Sequence, residues 1–117
     1  MTQKESAIIL NATDNLFSRL EVPVLYVQIQ AYRRILSAEC RKELSFSDAV
    51  LRYREDVFMP VMNSINNNRA LRKMAKEQGL TYLYLLITED LSIAKNITGE
   101  EYLALVSGKL ESFISAA

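Results

Sequence analysis

Apolar side chains recur along this chain mostly every third or fourth position, the spacing that gathers them on one face of a helix. The clearest run is Phe46, Val50, Tyr53, Val57, Val61 and Ile65, at steps of four, three, four, four and four. Phe58 and Met62 widen this stripe to the breadth of a core-facing helix, and Arg52, Glu55, Asp56 and Asn63 fall largely elsewhere. Ser45 and Asp48 have the spacing of a capping box in an Asp version, which would satisfy amides of the first turn. Pro60 lies inside the run. It has no amide hydrogen, so the carbonyl of Asp56 loses its helical partner and the ring crowds that turn. Because the apolar register continues to Ile65, the pattern predicts one helix kinked at residues 56–60 rather than two helices.

The flanking patterns are helical too. A first helix is predicted over residues 4–20, with Ile9, Ala12, Leu16 and Leu20 inward and Ile8 and Phe17 beside them. Pro23 breaks the chain and can open the next helix, where its missing amide costs little. That helix, residues 23–42, carries the stripe Leu25, Ile29, Tyr32, Leu36 and Cys40, with Cys40 expected as a small buried side chain. Val24, Val27 and Ile35 broaden it beyond one buried face. Asn66, Asn67 and Asn68 mark a turn. A short basic helix follows over residues 69–78, closed by Gly79.

Residues 80–94 are apolar nearly all round, through Leu80, Leu83, Tyr84, Leu86, Ile87, Leu91 and Ala94, and belong in the middle of a bundle. Residues 81–88 also have the composition of a buried strand, but a lone strand would lack a partner, so a helix is predicted. A last helix opens with the capping box Thr98–x–x–Glu101 and buries Tyr102, Val106, Leu110 and Phe113. Gly108 within it marks either a close neighbour or a weak spot worth about 1 kcal/mol. The sum is an all-α, single-domain bundle of five or six helices, with residues 1–117 as one domain.

Composition narrows the chemistry. A chain of 117 residues, 50% hydrophobic, can bury a real core, and three glycines and two prolines leave little for linkers. The first residues lack a signal-peptide layout, and the longest apolar run is far below the roughly 20 residues that cross a bilayer. A soluble, cytoplasmic protein is expected. There is no histidine and one cysteine. Ser-His-Asp and Cys-His catalysis, His-ligated metals, an intrachain disulfide and a single-chain thiolate zinc site are thereby removed. The acidic pairs Glu55-Asp56, Glu89-Asp90 and Glu100-Glu101 are sequence neighbours, which diverge by about 100° on a helix and do not share a site. No Gly-rich phosphate loop is present. No catalytic residue, metal or cofactor is assigned, and no enzyme is expected.

Charge is balanced in total but not along the chain. Residues 33–76 hold ten Lys/Arg against five Asp/Glu, and residues 77–117 hold two against six. The basic residues fall in two groups: Arg33, Arg34, Arg41 and Lys42, then Arg69, Arg72, Lys73 and Lys76. Three explanations compete: neutralisation across the fold, self-association through opposite patches, and a nucleic-acid footprint. A net charge of +0 argues against strong general affinity for phosphates.

Residues 71–81, LRKMAKEQGLT, resemble the first half of a helix-turn-helix, with Ala75 and Gly79 at the right separation and Met74, Leu80 and Leu85 at its apolar places. The second half offers Tyr82, Leu83, Leu86, Glu89 and Asp90 where base-reading residues belong. Residues 44–53, LSFSDAVLRY, resemble a segment of the small late-transcription coactivators of T4-like phages, and that resemblance implies contact with RNA polymerase. The acidic-hydrophobic tail by which those proteins engage the sliding clamp has no counterpart in the closing ESFISAA. No residue role is carried over.

The expected function is a non-catalytic interaction or regulatory module, a homodimer joined through surplus apolar helical surface. The alternative is a transcription-linked regulator that touches DNA or RNA polymerase through residues 33–76. The candidate partner-binding residues are Tyr53, Phe58, Met59, Met62, Arg69, Arg72 and Lys73, because soft, aromatic and cationic side chains suit adaptable surfaces.

Overall fold

In a computed structural model of the chain, whose described residues are 1–116, every regular element is helical. α1 spans Gln3–Ala12, α2 Val22–Cys40, α3 Phe46–Tyr53, α4 Met59–Asn67, α5 Arg69–Gln78, α6 Leu80–Thr88 and α7 Gly99–Ala116. A π-helical turn, Arg54–Phe58, joins α3 to α4 without a break, and α6 runs into a 3-10 turn, Glu89–Ser92. Six helical units among the described residues thus fill a body of 41 × 29 × 20 Å with a radius of gyration of 14.0 Å. About 13 Å is expected of one compact domain of this length.

The π turn accounts for the stripe as well as the proline. Five steps of the stripe cover 19 residues, whereas five α-helical turns take about 18. A π turn supplies the additional residue. Here the Met59 amide donates to the carbonyl of Arg54, five residues back. Val50, Tyr53, Val57, Val61 and Ile65 therefore all stay in the core. The irregularity expected at residues 56–60 takes this form, and Pro60 sits at the exposed start of α4, where a missing amide is least harmful.

α6 lies in the interior on one side. Leu83, Tyr84 and Ile87 are fully buried, and it packs on α5, α7 and the 3-10 turn. α7 opens on the predicted box: the Thr98 amide donates to Glu101 and the Glu101 amide to the Thr98 hydroxyl, each at 3.0 Å. Gly108 faces open space, since a Cβ there would meet nothing within 4 Å, so it is the weak spot of the two alternatives. No helix among the described residues is long and apolar enough to cross a membrane.

Two sequence expectations are corrected. α1 ends at Ala12, not near residue 20. The Thr13 hydroxyl donates back to the Ile9 carbonyl at 2.9 Å, and Asp14 and Asn15 both turn left-handed at φ 56°, a conformation these residue types tolerate. Leu16 and Leu20 are consequently exposed, Leu20 at 89%, and Phe17 alone enters the core. Cys40 is exposed rather than buried, because Arg41 turns left-handed at φ 53° and ends α2 there.

Candidate functional site

Tyr53 and Phe58, expected at a partner surface, are each 1% exposed. Neither is available to a partner in this fold. Met59 and Met62 are half-buried and pack against the core.

Tyr53 belongs to a buried polar network. Its hydroxyl donates to Gln28 Oε1 at 2.6 Å and lies 2.8 Å from the Tyr84 hydroxyl. With the Tyr53 proton committed to Gln28, Tyr84 is the donor of the second bond. Gln28 Nε2 donates to both the carbonyl and the hydroxyl of Thr88, each at 3.1 Å, and the Thr88 hydroxyl donates to the Tyr84 carbonyl at 2.9 Å. Tyr102 donates to the Gln28 carbonyl at 3.0 Å and stacks on Tyr32 with ring centroids 4.5 Å apart. Tyr32 in turn donates to Asp56 on the π turn, which also faces Arg52 at 3.4 Å.

Burial pushes the phenols of Tyr53, Tyr84 and Tyr102 well above their usual range. Burial and then the Asp56 carboxylate do the same for Tyr32. Among the described residues no buried polar side-chain atom lacks a partner. The network therefore joins α2, the α3–α4 rod, α6 and α7. Sequence reasoning missed it. The available signal was Gln28, a polar residue one place from the apolar stripe of α2, in a chain with six tyrosines.

The cations behave differently on different elements. Arg33 Nε donates to the Leu44 carbonyl at 2.7 Å, with Glu43 at 3.6 Å. Arg54 donates to the Ala12 carbonyl and to Asp14, and its guanidinium lies 5.7 Å above the Phe58 ring. These side chains tie loops to the core. Arg69, Arg72, Lys73 and Lys76 on α5 do not. They recur at i, i+3, i+4 and i+7, are all exposed, and line a recess of about 400 Å³. Among the described residues none has a carboxylate within ion-pair distance.

The opposite side of α5 holds it in place: Leu71 is buried, Met74 and Ala75 pack on the core, and Asn68 accepts the Leu71 amide at 3.0 Å. The α5–α6 turn passes through Gly79 at φ 103°, a conformation that suits glycine. Tyr82 stands at this turn, 54% exposed. α6 itself buries Leu83, Tyr84, Ile87 and Thr88, so the second helix of the supposed helix-turn-helix presents no reading face.

A second surface is apolar. Val24 and Val27 of α2 are exposed, and Leu20 precedes them at the same helical spacing. One turn on, Ala31, Ile35 and Ala38 line a small hollow with Ala94 and Ile97. Ala94, Lys95 and Ile97 also border a larger, mostly apolar hollow of about 590 Å³, lined further by Asp90, Ile93, Glu101, Ala104 and Leu105. Ile93 stands beside it, 79% exposed. The surplus expected of α2 is thus continued by the 93–97 segment and α7. On α6 the core takes Leu83, with Leu80 and Leu85 packed against it, while Leu86 is half-buried and Tyr82 is exposed.

No protein-family model, curated protein or solved structure matches this chain.

Proposed function

We propose that this chain is a non-catalytic interaction module of the cytoplasm that pairs with a second copy of itself through the apolar strip from α2 to α7. The observation that carries the reading is Ile93, a large apolar side chain 79% exposed beside an apolar hollow on the same surface. A protrusion and a hollow on one patch suit a two-fold contact, in which each copy supplies both. The small side chains of Ala94 and Ala104 leave the room. The rim supplies matching charge, since Lys95 and Glu101 are both exposed and neither has an ion-pair partner among the described residues. Paired across the two-fold, they would meet opposite signs.

Sedimentation equilibrium on the full chain tests this. The wild type should be dimeric and Ile93→Asp monomeric, while Leu51→Asp, at an exposed apolar residue elsewhere, should stay dimeric. A monomeric wild type, or a dimer that survives Ile93→Asp, removes the reading.

A second reading, a transcription-linked regulator working through residues 33–76, draws on one observation. Within that region α5 holds four cations that the fold leaves unpaired among the described residues.

A further inference from the structure

We infer that the exposed face of α5, with Tyr82 at its end, is a docking surface for the backbone of a single-stranded nucleic acid. The inference deepens the second reading above and does not rest on self-association.

Four cations at i, i+3, i+4 and i+7 repel one another along the helix. Arg33, Arg52, Arg54 and Lys109 are paired with carboxylates, whereas Arg34, Arg41, Lys42 and Lys95, like the cations of α5, have none among the described residues; what sets α5 apart is that its four share one helix face and line one recess. An anionic partner would relieve that repulsion. The kind of partner follows from its surroundings. Arg and Lys without carboxylates attract phosphates and release their counterions. Ten residues of helix extend about 15 Å, enough to follow a strand over several nucleotides. Exposed around this face are Asn66 and Asn67, amides that hydrogen-bond bases and sugars, Tyr82, an aromatic ring on which a base stacks, and one anion, Glu77, four residues from Lys73 and beyond ion-pair distance of every cation among the described residues.

A duplex is disfavoured for a geometric reason. Reading a groove needs a protruding element, and the helix that follows α5 is buried in the core. An anionic membrane is disfavoured as well, because the apolar side of α5 is turned into the protein and cannot enter lipid.

The test is fluorescence anisotropy of the full chain with labelled oligo(dT) and oligo(U) of about 16 nucleotides, a length that covers common single-strand site sizes. Binding should weaken with salt at a log–log slope of about −3, as four phosphate contacts on a single strand require. The double variant Arg72→Gln with Lys73→Gln should halve that slope and weaken binding about tenfold at low salt. Tyr82→Leu should weaken binding about tenfold with the slope unchanged, because it removes stacking and no charge. Arg41→Gln with Lys42→Gln makes the same change in net charge just past the end of α2 and should leave the slope as it was. Ile93→Asp should bind as the wild type does, which separates this inference from dimer formation.

Absence of salt-dependent binding overturns the inference. So does equal loss from the Arg41–Lys42 and Arg72–Lys73 pairs, which would reduce the effect to net charge. Tighter binding to a duplex of the same length overturns the single-strand assignment. Binding to an acidic amphipathic peptide in preference to either oligonucleotide would make the partner a protein.

Discussion

The tyrosines around Gln28 and the cations along α5 are the two concentrations of polar chemistry in this molecule, and the fold treats them in opposite ways. In the first, each hydroxyl has a partner, and the bonds span four separate stretches of chain. In the second, four side chains on one helix have no carboxylate partner among the described residues. A buried polar group without a partner costs about 1–3 kcal/mol, so the interior must be complete. An exposed cation loses nothing to water, so the surface can be left open. Closed polar groups serve the fold, and open ones are free to serve a partner.

Alkaline pH should break the closed side most strongly. An unfolded tyrosine ionises near pH 10. Tyr32, Tyr53, Tyr84 and Tyr102 keep their protons to higher pH in the fold. Above about pH 10 the folded state therefore binds more protons than the unfolded one, and stability falls as pH rises; below it the contribution is fully present. At pH 11 the loss is about 1.4 kcal/mol for each phenol, and about 6 kcal/mol for the four together, comparable to the stability of a whole domain. Helical circular dichroism and phenolate absorbance, followed together, should change in one transition. Phenolate forming in an intact helical protein would mean that the network is open to solvent.

Gln28→Met comes next. Methionine keeps the unbranched shape and the apolar contacts but leaves the Tyr53 hydroxyl without its acceptor and Thr88 without the amide donor. A loss of about 3 kcal/mol is expected in urea unfolding, with the m-value unchanged. A loss below about 1 kcal/mol would show that the tyrosines re-pair among themselves and that Gln28 is not the hub.

How much of this was legible follows from which residues carry the signal. The rod over residues 46–65, α5 with its closing Gly79 and the Thr98 box are local features, set by spacing and by caps within a few residues. The π turn has its counterpart in the stripe too, which covers 19 residues where an α-helix uses about 18. The end of α1 was not legible from apolar spacing, because the pattern Ile9, Ala12, Leu16, Leu20 continues through two left-handed residues that stop the helix.

The candidate surfaces divide on the same line. That Arg69, Arg72 and Lys73 share a face follows from periodicity alone. That Tyr53 and Phe58 are core, and that Ile93 is bare, depends on contacts between segments far apart in sequence. The Gln28 network spans up to 74 residues of chain, a distance no periodicity reports.

The smallest expected effect sharpens the comparison most, because its sign is informative. Arg72 lies three residues from Arg69 and four from Lys76, so it takes part in two like-charge pairs on the surface of α5. It has no ion-pair partner among the described residues to offset them. Glutamine is nearly as good a helix former as arginine, so Arg72→Gln changes little besides the charge. Each like-charge pair costs about 0.2–0.5 kcal/mol, and removing two should raise stability by about 0.4–1 kcal/mol at low salt. The gain should fade as salt screens the repulsion. A gain in urea unfolding that disappears with salt would mean that α5 carries its charge against the interest of the fold, as a surface kept for binding does. A loss of stability would mean that Arg72 makes a contact within the fold, and α5 would then belong with the closed polar groups rather than opposite them.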